Sequence, residues 1–153
     1  MGVGNVLMAD DGVGVRSVTM LQARAPHGVR LVERSLLGLD ALADVEQASH
    51  LLLLDSIDAG RPPGEILRLA WPGLPESLGP RLSPHELALG DLLALAAIRG
   101  NAPDEVVVMG IQPARIGPGL DLSPEVAAAL PGLVTSALRV LKGWASARTE
   151  VAS

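Results

Sequence analysis

The chain of 153 residues contains no cysteine, no phenylalanine and no tyrosine. Without cysteine, disulfides, thiolate catalysis and cysteine-ligated zinc are excluded. With Trp71 and Trp144 as the only aromatics, the core must be built from Leu, Val, Ile and Ala. Lysine is almost absent too, Lys142 being the only one. The net charge is −5 and no Lys/Arg cluster occurs, which excludes a nucleic-acid backbone as the expected partner. No unbroken run of about 18 apolar residues is present, so no membrane span is read. The N-terminus lacks the charged and apolar regions of a signal peptide, and the expected compartment is the cytoplasm.

What is present is 48% apolar and 19% charged, a balance that favours folding over disorder, and the length suits one domain, residues 1–153. Helical and extended patterns alternate along it. Residues 11–25 carry apolar side chains at helical spacing, and Gly28 ends that pattern. Residues 29–33 read as a short strand and 39–48 as a second helix. Residues 50–55, HLLLLD, form an apolar run that fits a strand buried on both faces. Residues 65–70 alternate as a strand. Ser83-Pro84-His85-Glu86 reads as a capping box opening a helix that runs to about residue 98. Residues 105–109 form another buried strand. Ser123-Pro124-Glu125 opens a last helix, whose apolar face is Val126, Leu130, Leu133, Val134, Ala137, Leu138 and Leu141. Pro131 within it should kink the helix or shift its start. The alternation predicts a three-layer α/β sandwich, with a mostly parallel twisted sheet and helices on both faces. Ligand groups in such sheets gather at the carboxyl ends of the strands.

Four groups of residues bear on chemistry. GVGN at residues 2–5 is half of a dinucleotide fingerprint, because the third glycine position is Leu7. A tight strand-to-helix turn is the simpler reading. Asp10 and Asp11 precede a helix, where a single carboxylate would suffice as a cap, so one of the two is open to chemistry. Asp55 closes an apolar strand, where a carboxylate is costly unless paired or metal-bound, or else the strand ends in solvent. His85 stands in the first turn of a helix, whose positive end favours neutral imidazole, the form that binds metals. His27 and His50 read as surface residues. Cysteine nucleophiles, GxSxG and HExxH are absent, so a hydrolase built on this chain would rely on two carboxylates and one imidazole.

Four stretches, GVGNVLMADDGVGV, LLLLDSIDAGRPPGEI, SPHELALGDLLALA and VVVMGIQPARIGPGLDLSPEV, occur in this order. Together they resemble the hydrogenase maturation proteases, from Gly2 to about Leu141. The resemblance implies an endopeptidase that removes the C-terminal extension of a nickel-loaded [NiFe] hydrogenase large-subunit precursor. It implies metal contacts at Asp11, Asp55 and His85, with Asp11 and Asp55 as the catalytic candidates. The nickel arrives with the precursor, and no organic cofactor, nucleic acid or membrane is implied. Family members often carry Glu where Asp11 stands, and many have a Gly-Gly-Thr-type loop where residues 33–38 read ERSLLG. They also carry a strand of about five apolar residues before the GxGN turn, which this chain lacks. A start codon called too late or a truncated gene is expected from that gap. Exposed edges at residues 29–32 and 51–54, and self-association, are expected with it. The competing readings are a small-molecule or nucleotide-binding α/β module using the GVGN turn, and a truncated, non-functional family member.

Overall fold

The computed structural model describes residues 1–71 and 84–151, with side chains for 1–69 and 88–147. Among the described residues, five strands form one sheet in the order β2-β1-β3-β5-β4. These are β1 (Gly2–Val3), β2 (Glu33–Arg34), β3 (His50–Ser56), β4 (Ile66–Trp71) and β5 (Glu105–Ile111). β1 runs parallel to β2 and β3, β3 runs parallel to β5, and only β4 is antiparallel. The helices are α1 (Val13–Leu21), α2 (Leu42–Glu46), α3 (Pro84–Ile98) and α4 (Pro124–Val151). This is the three-layer, mostly parallel arrangement that the alternating pattern predicts. Ser83, the expected cap of α3, lies outside the described residues.

The leucine run of β3 explains the layering. Leu51 and Leu53 face a cluster containing Val45 of α2 and Leu89, Leu93 and Ala96 of α3. Leu52 and Leu54 face the opposite cluster, containing Val18 of α1 and Val134 and Leu138 of α4. A strand covered on both faces has no polar side to present, hence four consecutive leucines. α4 carries the predicted face: Val126, Leu133, Val134, Ala137, Leu138 and Leu141 are buried and Leu130 packs at the margin. The stretch Pro124–Ala147 is long and apolar enough to cross a membrane, at mean hydropathy 1.3, although charged residues interrupt its apolar run. In the fold its apolar face is covered by the sheet. The helix neither restarts nor stops at Pro131, which is exposed. The backbone bond that a proline cannot donate is therefore lost on the solvent side.

α1 approaches the sheet closely because of glycine. A β-carbon on Gly14 would lie 2.2 Å from the Leu54 carbonyl oxygen and 2.3 Å from that of Val3. The helix therefore begins directly over the carboxyl ends of β1 and β3.

The first strand is two residues long rather than absent. The backbone at its start bonds both neighbours: Gly2 N–H donates to Val32 O, and the Met1 carbonyl accepts Leu54 N–H, each at 2.8 Å. The expected strand at 29–33 is found instead at Glu33–Arg34, in register with Gly2 and Val3. Above Met1, a cavity of about 830 Å³ opens between Val29, Leu31, Leu51 and Leu52 and is walled by His50 and Trp144. His50 is half-buried against the Trp144 ring at 5.2 Å, so only His27 is the exposed histidine expected of the pair. The Met1 amino group donates to Leu52 O at 2.8 Å inside this environment. Burial lowers its pKa from 8.0 to about 5, against the opposing pull of Asp44.

This amine makes stability depend on pH. Between about pH 5 and pH 8 the unfolded chain binds the proton and the folded chain does not, so stability falls as pH falls through that window. The slope approaches ~1.4 kcal/mol per pH unit. Adding about five apolar residues before Met1 should fill the cavity, raise Tm and remove this slope. Urea melts of both chains from pH 5 to pH 8 check this, and identical profiles would contradict it.

Candidate active site

The turn after β1 brings the two aspartates to opposite uses. The chain leaves β1 through Gly4, at φ 128°, and a β-carbon there would lie 1.8 Å from Asp11 O. It then passes Ala9, a non-glycine residue at φ 52°, and enters a single 3-10 turn, Asp10–Gly12. Neither aspartate caps a helix through its side chain, contrary to the simple expectation. Asp10 is fully buried and reaches across to the loop after β5. Its Oδ2 accepts from Ala114 N–H and Arg115 N–H at 2.9 Å and from the Ser123 hydroxyl at 2.8 Å. Its Oδ1 accepts from Ser123 N–H at 2.7 Å. The Ser123 hydroxyl, expected to cap α4, is turned to Asp10 instead. Burial pushes the Asp10 carboxyl up, but the hydrogen bonds from Ser123, Arg115 and Ala114 prevail and hold it below the ordinary 3.8.

Asp11 faces the other way and is half-buried. Its Oδ2 accepts Asn5 N–H at 2.7 Å, and the Asn5 side chain accepts Leu7 N–H at 2.9 Å. The turn amide that a phosphate would need is thus already bonded to a carboxylate. This disfavours the nucleotide reading of GVGN.

Asp55 is fully buried at the carboxyl end of β3, beside Gly110 of β5. Its Oδ1 accepts Ser56 N–H at 2.7 Å. The adjacent Ser56 hydroxyl is buried with no hydrogen-bond partner among the described residues. Asp11 and Asp55 therefore stand on neighbouring strand exits, at one end of the sheet.

His85 lies in the first turn of α3, and its side chain is outside the described residues. The helix backbone still indicates its end of the sheet. The connection from Ile98 to Glu105 at the start of β5 is short, with Asp104 N–H bonded to Ser49 O beside the start of β3. α3 thus ends at the amino end of the sheet. Its 15 residues span ~22 Å, which carries its first turn toward the carboxyl end. Among the described residues, no group of three His, Cys, Asp or Glu side chains forms a metal site.

Two polar residues here escaped the reading of the sequence. One is Asp10 in its role as a cross-link. The other is Gln112, buried just after β5, whose Oε1 accepts Ala59 N–H at 2.8 Å and Arg61 N–H at 3.0 Å. Both act on residues far away in the chain, so local patterns carry no trace of them.

Replacing Asp10 with Asn leaves one oxygen to face four donors. The variant should lose ~3 kcal/mol, as expected when a buried charged acceptor is removed. Because the Asp10 pKa is depressed, its contribution is present above about pH 4 and is lost as pH falls below it. Acid titration by circular dichroism should show the parent losing stability on acidification and the variant losing less. Equal acid sensitivity would contradict the role assigned to Asp10.

The hydrogenase maturation protease family model matches residues 15–140. The chain is 38% identical over 149 residues to the hydrogenase expression/formation protein HoxM of Cupriavidus necator, covering 94% of this chain and 73% of that protein. It is 39% identical to HupM of Azotobacter chroococcum, spanning 57% of that protein's length, and 30% identical to the Escherichia coli hydrogenase 2 maturation protease, spanning 88%. The E. coli hydrogenase maturating endopeptidase HybD superposes with a TM-score of 0.83 at 29% identity, over 93% of this chain and 90% of that one. The chain belongs to the hydrogenase maturation protease family, a family of peptidases.

Proposed function

We propose that the protein is an endopeptidase that removes the C-terminal extension of a [NiFe] hydrogenase large-subunit precursor already loaded with nickel. The observation that carries this reading is the pairing of family membership with two carboxylates, Asp11 and Asp55, at the same end of the sheet. A solved relative from Thermococcus kodakarensis, 25% identical with a TM-score of 0.69, is named a [NiFe] hydrogenase maturation protease. The exposed Val6, Leu7, Ile116 and Leu120 lie on the loops around Asp11 and offer an apolar surface to a polypeptide. The setting of this step is the cytoplasm, with no nucleic acid or membrane partner.

In the proposed mechanism, Asp11, Asp55 and His85 grip the nickel carried by the substrate. Two oxygens and one ring nitrogen suit a borderline divalent ion. The ion marks the precursor as ready, polarises the scissile carbonyl, or acidifies the attacking water. One carboxylate, of Asp11 or Asp55, takes a proton from that water and returns it to the leaving amine, which makes the chemistry aspartic in type. Asp11 is the more accessible of the two, whereas Asp55 is buried.

Asp55→Asn keeps the oxygen that accepts Ser56 N–H and removes the charge. The expected result is at least ~100-fold slower processing of nickel-loaded precursor with Tm nearly unchanged. Full processing by the variant would refute the assignment. In a small-molecule or nucleotide-binding module, His85→Ala would leave ligand binding intact; here it should abolish processing.

A further inference from the structure

We propose that Gln112 and Asp10 are positioning residues that hold the loops of Asp55 and Asp11 at a fixed spacing through one short segment, residues 112–114. The inference rests on the reading of Asp11 and Asp55 as the working pair.

Gln112 directs both its side chain and its main chain at the loop that follows Asp55. Besides accepting Ala59 and Arg61 N–H, it donates from Nε2 to Asp58 Oδ1 at 2.9 Å. Its own N–H donates to Glu65 O, and its carbonyl accepts Gly64 N–H, both at 2.9 Å. Two residues later, Ala114 N–H donates to Asp10, the neighbour of Asp11. The two anchors are thus separated by Pro113 alone. Proline fixes its own φ and restricts the residue before it, so the link is stiff. Beyond it the segment stays attached to the Asp11 turn: Ala9 N–H donates to Gly119 O at 2.8 Å, and Gly119 N–H donates to Leu7 O at 3.0 Å. A ligand pair that must close on one ion within a few tenths of an ångström needs such outer support.

The donor and acceptor pattern allows a reversal test. Gln112→Glu keeps an acceptor for Ala59 and Arg61 but sets two carboxylates against each other at Asp58. Adding Asp58→Asn restores one donor and one acceptor with their direction exchanged. Cleavage of nickel-loaded precursor and binding of Ni²⁺ alone by calorimetry are read well below Tm. Gln112→Glu should lower kcat and Ni²⁺ affinity about tenfold or more with KM little changed, and the double variant should recover to within about threefold. Pro113→Gly retains the carbonyl that accepts from Gln112 Nε2 at 3.4 Å, removes only the ring, and should weaken Ni²⁺ binding several-fold even if Gln112→Glu fails to fold. A purely stabilising role would shift Tm and leave kcat and Ni²⁺ affinity alone. Parental values in Gln112→Glu and Pro113→Gly, while Asp55→Asn loses both, would overturn the positioning role. Parental values in Asp55→Asn itself would instead overturn the reading of the site.

Discussion

A single buried carboxylate holds the functional end of this molecule together. Asp10 sits in the interior and gathers three backbone amides and a hydroxyl from residues more than a hundred positions away. A charge in that place is tolerated only because so many donors converge on it. The consequence is directional. With Asp10 committed to the 114–123 loop, the next residue, Asp11, is turned out toward the strand exits, where it meets Asn5. The side-by-side aspartates thus differ in setting: Asp10 closes the loop, and Asp11, half-buried, bonds the Asn5 amide in the turn after β1.

The same end of the sheet receives its second carboxylate through packing. β3 is sandwiched between two aliphatic layers, and Asp55 terminates it where the layers end. Gly14 lets α1 begin within contact of the Val3 and Leu54 carbonyls, so the Asp11 turn and the end of β3 share one small region. At the opposite end of the sheet the buried Met1 amino group donates to Leu52 O, and a cavity separates residues 29–32 from 50–52. The Met1 cavity and the candidate site are at opposite ends of the strands.

Much of the architecture was legible in the sequence because it is written in local periodicity. The leucine run of β3, the apolar face of α4 and the start of α3 at Pro84 each depend on neighbours within a turn or two, and each stands where the pattern places it. Strand 29–33 did not form as expected: a strand exists only with its partner, and β1 begins at Gly2, opposite Glu33. Of the two aspartates expected to include one cap, neither caps a helix, and Asp10 is a cross-link instead. Ser123 likewise looked like a cap and serves Asp10. Gln112 gave no signal, since its value lies in hydrogen bonds to residues 51 to 54 positions earlier.

The account stands on Asp11, Asp55 and His85 closing around one divalent ion at the carboxyl end of the sheet. Crystals grown with Ni²⁺ and measured at the nickel absorption edge test this directly. One anomalous peak, touched by carboxylate oxygens of Asp11 and Asp55 and a ring nitrogen of His85 at ~2–2.5 Å, is the predicted result. A peak held by other residues, such as His27 and His50 at the opposite end, with Asp11 and Asp55 untouched, would contradict it.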